Sequence, residues 1–232
     1  MQGLYAIVDV ATLTQHDLCA LRFTEAVLAA APAAVQLRDK RLGSAPTLKL
    51  LRQLHRLTAV AGVPLFGNDR ADLAALAGCE GVHVGQHDLP VPLARQVARR
   101  AGRGELLVGM SAHNEAELTR ALAQQPDYVA FGPVFATTSK AQPDPTLGLE
   151  GLRRLVDLAR PSGLPVVAIG GISAANATRV ARSCGCAAVI GGLLPAAMPT
   201  GKEAVYAAVA ERATALGQAL KESRRSRREE KC

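Results

Sequence analysis

Val35-Gln36-Leu37-Arg38-Asp39-Lys40 closes a short apolar run that begins at Ala33, and Leu42-Gly43-Ser44-Ala45-Pro46 breaks the chain after it. Read as a strand, the stretch puts Gln36, Arg38 and Lys40 on one face, because successive side chains alternate. Facing solvent, such a face would be ordinary. At the mouth of a barrel it becomes a cationic, hydrogen-bonding claw for an anionic ligand. Asp39 has the opposite parity and is expected to bond to a neighbouring strand or loop instead.

Whether a barrel exists depends on the rest of the chain. Upstream, Leu4-Tyr5-Ala6-Ile7-Val8 is a β-forming run closed by Asp9, and a helical pattern follows from about Asp17 to Ala31. Downstream, Pro46 suits a first helical turn, and Leu48, Leu51, Leu54 and Leu57 recur at helical spacing. The alternation then continues without a break. Strands are expected at Leu65-Phe66, Val82-His83-Val84, Leu106 to Met110, Tyr128 to Phe131, Pro165 to Ile169 and Ala187 to Ile190. Helices are expected at Ala71 to Ala77, Pro92 to Arg100, Asn114 to Gln124, Leu149 to Ala159, Ser173 to Ser183 and Lys202 to Lys221. Asn114 can cap its helix, with Glu115 and Glu117 in the first turn to meet the dipole.

Eight strand-then-helix units with near-continuously apolar strands predict an all-parallel sheet covered outside by helices. In 232 residues that pattern fits an α/β fold of the (β/α)₈ TIM-barrel type better than a doubly wound sheet. No composition shift divides the chain, so residues 1–222 read as one barrel domain and 223–232 as a basic C-terminal tail expected to be disordered.

Composition narrows the function classes. Half the residues are hydrophobic (49%), enough for a substantial core, but aromatics are only 3% with no Trp, so Ala, Leu and Val must fill it. No apolar run reaches the roughly 18 residues of a membrane-spanning helix, and the N-terminus lacks a basic region ahead of a long apolar segment. The chain is expected to be cytoplasmic and to engage no membrane. The net charge of +7 is partly carried by 221–232, whose six basic and three acidic side chains read as a solvated helix end. Without interleaved aromatics for base stacking, no nucleic-acid partner is expected. Five cysteines (Cys19, Cys79, Cys184, Cys186, Cys232) lack both framework spacing and a C-x-x-C pair, so they read as structural thiols.

In a (β/α)₈ barrel the site lies at the C-terminal ends of the strands. Those ends supply Gln36, Arg38 and Lys40; Asn68 and Asp69; Gln86 and Asp88; Ser111 and His113; then Thr137, Thr138, Ser139 and Lys140 in the loop after strand six. Strands seven and eight end in Gly170-Gly171 and Gly191-Gly192. Taken singly, an Asp after a strand is usually a helix cap and a Gly pair usually a turn. Taken together they form a set. Asp69 and Asp88, from adjacent strands, can converge on one Mg²⁺, which takes one or two carboxylates and leaves its other positions to water and phosphate. Arg38, Lys40 and Lys140 add positive charge for phosphate oxygens. The Gly pairs let backbone N–H groups approach a second phosphate closely. His83 reads as a satisfied core histidine, and His113 either flanks the site or packs. Neither a Cys–His nor a Ser–His–Asp arrangement is evident.

At this level of detail the chain resembles the thiamine-phosphate synthase (thiamine-phosphate pyrophosphorylase) family from Leu4 to about Leu194. The resemblance is carried by LYAIVD, VQLRDK, NDRADLA, GVHVGQHDLP, VGMSAHN, DYVAFGPVFATTSK, LGLEGL, VVAIGGIS and AAVIGGLL in that order. It implies a (β/α)₈ barrel that joins a hydroxymethylpyrimidine diphosphate to a thiazole phosphate, with CO₂ lost as well when the thiazole is carboxylated, and that releases pyrophosphate through a dissociative, carbocation-like step. Residue by residue, it implies that Gln36, Arg38, Lys40, Asn68, Ser111 and Lys140 hold the pyrimidine diphosphate. Of these, Arg38, Lys40, Ser111 and Lys140 would be catalytic. Asp69 and Asp88 would be the Mg²⁺ ligands. Thr137, Ser139, Gly171, Gly191 and Gly192 would hold the thiazole phosphate. The implied partners are the two small-molecule substrates, and the scaffold is compatible with a homo-oligomer. A thiazole tautomerase or a non-catalytic barrel binding thiamine precursors would share the scaffold without needing the diphosphate claw and both aspartates.

Overall fold

Strands buried on both faces need apolar side chains at both parities, and β1 (Gly3–Asp9) is buried along its whole length. The computed structural model describes residues 1–137 and 144–229, with side chains described as far as 221. In it β1 is joined in sequence order by β2 (Ala34–Arg38), β3 (Leu65–Asn68), β4 (Gly81–Val84), β5 (Leu107–Ala112), β6 (Tyr128–Phe131), β7 (Val166–Ile169) and β8 (Cys186–Val189). All pair in parallel and close into a barrel, with Gly3 opposite Cys186 and Ala6 opposite Val189 at the seam.

Helices α1 (Val10–Gln15), α2 (Ala20–Leu28), α3 (Ser44–Val60), α4 (Ala71–Ala77), α5 (Val91–Arg100), α6 (Glu115–Ala123), α7 (Gly148–Ala159), α8 (Ala174–Ala181) and α9 (Lys202–Glu229) connect and cover the strands. Asn114 caps α6 as its sequence suggests, accepting from Glu117 N at 2.9 Å. The helix expected over Asp17 to Ala31 is α2, shorter at both ends, and α1 precedes it as a helix that was not expected. Asp9 starts α1 by accepting from Thr12 N at 2.8 Å, and Asp17 takes a left-handed turn (φ 51) that separates α1 from α2. A cap at a strand end nucleates a short helix that apolar spacing alone does not reveal. Helix α9 covers the seam, burying Val205, Val209, Ala213, Leu216 and Leu220, and its Tyr206 hydroxyl accepts from Cys19 N at 2.9 Å. The expected tail at 223–232 falls on the end of α9 and beyond, where side chains lie outside the described residues. Among the described residues, no helix is long and apolar enough to cross a membrane.

Two cores result. Between strands and helices lies the expected aliphatic layer, with Leu4, Val8, Leu37, Leu54 and Leu152 all at most 2% exposed. Inside the barrel, however, sit three of the chain's seven Phe and Tyr residues: Tyr5, Phe66 and Tyr128. Their ring centroids are 5.6 to 6.1 Å apart in tilted and edge-on pairs, the geometry that aromatic quadrupoles favour. Glycines make the room. A Cβ on Gly81 would lie 2.2 Å from the Phe66 ring, and one on Gly109 would lie 1.9 Å from the Tyr128 ring. The aromatic plug closes the barrel interior and leaves the strand C-termini as the floor of a polar mouth.

Candidate active site

Parity and register together build the mouth. Asp9 pairs in register with Arg38 across β1 and β2, so two side chains of opposite charge leave the sheet side by side. Arg38 donates to Asp9 Oδ2 at 2.5 Å, while the Asp9 Oδ1 is held by Thr12 N and Thr12 Oγ1 at 2.8 and 2.7 Å. Asp9 is 2% exposed, so its charge is compensated by a fixed set of donors, and the guanidinium has one orientation from which to work. Sequence reasoning saw Asp9 only as a strand end. Its shared parity with Tyr5 and Ile7, and its place opposite Arg38, are the signal that would have found it.

Lys40 stands beyond the end of β2 and pairs with Asp69. Asp69 follows Asn68 at the end of β3 with φ 61, and its N–H donates to the His83 carbonyl at 2.8 Å. That left-handed residue turns the carboxylate to the mouth although its parity alone would aim it outward. Burial holds the Asp69 carboxyl above its ordinary range, and the neighbouring Asp88 pushes it the same way while Lys40 opposes both. Asp88 thus lies near enough to Asp69 for its charge to be felt there, as two carboxylates sharing one cation would be. Asp88 Oδ2 also accepts from Gly85 N at 2.8 Å, which fixes the turn after β4. Among the described residues, no group of three His, Cys, Asp or Glu side chains is clustered for a metal.

Asn68 Nδ2 is buried without a hydrogen-bond partner, the only such side-chain atom among the described residues. An unmatched buried donor costs about 1–3 kcal/mol, and it marks where a ligand acceptor would be welcome. Gln36 is buried and donates to the Tyr5 hydroxyl at 3.0 Å. Ser111, on β5, lies 2.8 Å from His83 Nε2, and its carbonyl accepts from Gln86 Nε2 at 2.6 Å. Burial pushes His83 down to about 4, so the ring is neutral at physiological pH. His83 is thus a satisfied interior histidine, as its place within a strand suggests, but it touches a site residue. His113 bonds to the Gly132 carbonyl and lies 3.5 Å from Asp144, so it faces the loop after β6.

On the other side of the mouth, Gly171 has φ 62, and a Cβ there would lie 2.5 Å from the Ala136 carbonyl. Its own carbonyl accepts from Asn176 Nδ2 at 3.0 Å. Gly191 and Gly192 open a 3₁₀ turn, Gly191–Leu193. A Cβ on Gly192 would lie 2.2 Å from the Ile172 carbonyl, and Arg212 of α9 donates to the Gly192 carbonyl at 3.1 Å. The first glycine turn is therefore packed against the loop after β6 and the second against Ile172 beside the first, and each is held from behind. Thr137 ends the described part of the loop after β6; Ser139 and Lys140 lie outside the described residues. Of the expected site residues, the structure brings Arg38, Lys40, Asn68, Asp69, Asp88 and Ser111 to the ends of β2 to β5, and Gly171, Gly191 and Gly192 to the ends of β7 and β8.

A closed parallel barrel with carboxylates and cations at one side of its mouth and glycine turns at the other defines a phosphate-handling (β/α)₈ enzyme. Comparison with known proteins narrows that class: residues 4–193 match the family model for thiamine monophosphate synthase, and the chain belongs to that family. It is 42% identical over 159 residues to the thiamine-phosphate synthase of Chloroflexus aurantiacus, covering 68% of this chain and 70% of that one. It is 40% identical over 199 residues to the Herpetosiphon aurantiacus thiamine-phosphate synthase, covering 85% and 91%. The thiamine phosphate pyrophosphorylase structure from Pyrococcus furiosus superimposes with a TM-score of 0.77 at 27% identity over 96% of each chain. Family membership makes the chain a transferase of thiamine biosynthesis.

Proposed function

We propose that the mouth joins 4-amino-2-methyl-5-hydroxymethylpyrimidine diphosphate to a thiazole phosphate, giving thiamine phosphate and pyrophosphate. The bond between the pyrimidine methylene and the diphosphate oxygen breaks first, and its electron pair leaves with pyrophosphate. The thiazole ring nitrogen then donates its lone pair to the pyrimidine-stabilised carbocation; a carboxylated thiazole also loses CO₂. Such a step calls for no strong base or nucleophile. It calls for charge neutralisation on the leaving group and for two substrates held in contact.

The observation that carries this reading is the meeting of Arg38, Lys40, Asp69 and Asp88 at adjacent strand ends. Arg38, oriented by Asp9, and Lys40 would grip the diphosphate, and Lys140 would do so from the loop after β6. Asp69 and Asp88 offer hard oxygen ligands close together, which fits Mg²⁺. Bound there, the ion would neutralise the charge that accumulates on the departing diphosphate. Asn68, with its unmatched buried amide, together with Gln36 and Ser111 would complete the pyrimidine side. Thr137, Ser139 and the backbone of Gly171, Gly191 and Gly192 would hold the thiazole phosphate, which keeps the nitrogen next to the methylene.

Incubating the purified protein with both phosphorylated precursors and Mg²⁺ tests this directly. Thiamine phosphate and pyrophosphate should form in equal amounts. Binding of the thiazole phosphate alone, or its isomerisation with no joined product, would overturn the reading in favour of a tautomerase or a binding-only barrel.

A further inference from the structure

A chain of polar side chains crosses the barrel interior beneath the mouth, and the proposed reaction uses only its two ends. Gln36 Nε2 donates to Tyr5 Oη at 3.0 Å, and the Tyr5 and Tyr128 hydroxyl oxygens are 3.1 Å apart. Tyr128 Oη lies 2.9 Å from His83 Nδ1, and His83 Nε2 lies 2.8 Å from Ser111 Oγ. Gln36, Tyr5 and Tyr128 are 3%, 1% and 2% exposed, so each hydrogen must find its acceptor within the chain.

With the Gln36 amide turned so that Nε2 faces Tyr5, counting hydrogens sets the direction. A tyrosine hydroxyl has one hydrogen to give, and a neutral imidazole has one N–H and one bare nitrogen. Tyr5 Oη already accepts from Gln36, so its own hydrogen goes to Tyr128. Were Tyr128 to donate to Tyr5 instead, the Tyr5 hydrogen would be left unmatched in the plug. The single hydrogen of Tyr128 therefore goes to His83 Nδ1, which must be bare. The imidazole hydrogen then sits on Nε2 and goes to Ser111 Oγ. One hydrogen remains over, that of Ser111, and it points away from the chain.

We infer that Tyr5, Tyr128 and His83 form a one-way hydrogen-bond chain in which His83, locked as the Nε2–H tautomer, is a positioning residue that makes Ser111 donate to an acceptor atom of the pyrimidine substrate. The identity of that substrate rests on the proposed function; the direction of the chain does not. Burial raises both tyrosine hydroxyls, so they keep their hydrogens, and the Tyr128 hydrogen finds its acceptor only at a bare Nδ1, 2.9 Å away. The His83 and Tyr128 rings stack at 5.5 Å with their planes 26° apart, which restrains the imidazole from turning over. The missing Cβ of Gly109 gives Tyr128 the room to sit there.

Protein labelled with ¹⁵N-histidine, read by long-range ¹H–¹⁵N correlation at pH 7.5, reports the tautomer without any substrate; His83→Gln identifies the signal. His83 should show a protonated Nε2 and a bare Nδ1. In Tyr5→Phe, which removes the hydroxyl that sets the direction, His83 should become a mixture of tautomers. The same variant should raise KM for the pyrimidine diphosphate about tenfold, change kcat less, and leave the affinity for inorganic pyrophosphate unchanged. A wild-type Nδ1–H tautomer would overturn the inference, as would Tyr5→Phe with tautomer and KM both unchanged. If Tyr5→Phe does not fold, the wild-type spectrum alone decides. A locked Nε2–H in a protein that forms no thiamine phosphate would sink the proposed function and leave the chain standing.

Discussion

Asp9 and His83 show how much of this site lies one bond behind the groups that would touch ligand. Asp9 gives Arg38 its orientation and caps α1 with its other oxygen. Asp9→Asn removes the charge and keeps the shape. The variant should lose about 1–3 kcal/mol of stability in urea denaturation and raise KM for the pyrimidine diphosphate, with KM for the thiazole phosphate unchanged. Equal KM values for both substrates in variant and wild type would show that Arg38 needs no such anchor.

His83 makes a prediction about pH. Its folded value is pushed down to about 4 by burial, with His113 pushing the same way and Asp88 opposing, against about 6.5 in an unfolded chain. As pH falls the unfolded chain takes up this proton first. The contribution of His83 to stability is therefore complete above 6.5 and is lost between 6.5 and 4, at up to about 1.4 kcal/mol per pH unit. Urea denaturation at pH 7.5, 6 and 5 should show a steeper loss in wild type than in His83→Gln. Parallel losses in the two proteins would mean that the ring is not buried neutral.

At the scale of elements, the strand pattern was readable because eight apolar runs alternate with helical spacing, and the parity of Gln36, Arg38 and Lys40 placed them on one face. What parity could not show was the turn at Asp69, where φ 61 reverses the side chain, or the short helix that Asp9 starts. Nor did a composition with 3% aromatics disclose that three of those rings gather inside the barrel. The glycines of β4 and β5 carry that information, since each lies where a ring must pass. Gly109→Ala would put a methyl group into Tyr128, and overpacking of this kind costs about 1–3 kcal/mol. Gly185→Ala, with nothing within 4 Å of the new Cβ, should stay within about 0.5 kcal/mol of wild type. Thermal denaturation and the tyrosine near-ultraviolet signal would report both. An unperturbed Gly109→Ala would contradict the account of the plug.

For the whole molecule, closure of the barrel turns scattered residues into a site. Asp9 and Gly192 are 183 positions apart in the sequence, yet β1 pairs with β8, and α9 both covers that seam and holds the Gly192 carbonyl through Arg212. The order of strand ends is legible in the amino-acid sequence. The pairings among them, Arg38 with Asp9 and Lys40 with Asp69, are not, because they depend on register and on one left-handed residue. By the proposed function, the β2 to β4 side of the mouth would hold a leaving diphosphate with Mg²⁺ between Asp69 and Asp88. A crystal structure of the protein grown with Mg²⁺ and pyrophosphate tests it most directly. One Mg²⁺ should be bound by both aspartates and by pyrophosphate oxygens, with Arg38 and Lys40 on the same anion. Pyrophosphate seated at the glycine turns after β7 and β8, with no metal at Asp69 and Asp88, would contradict it.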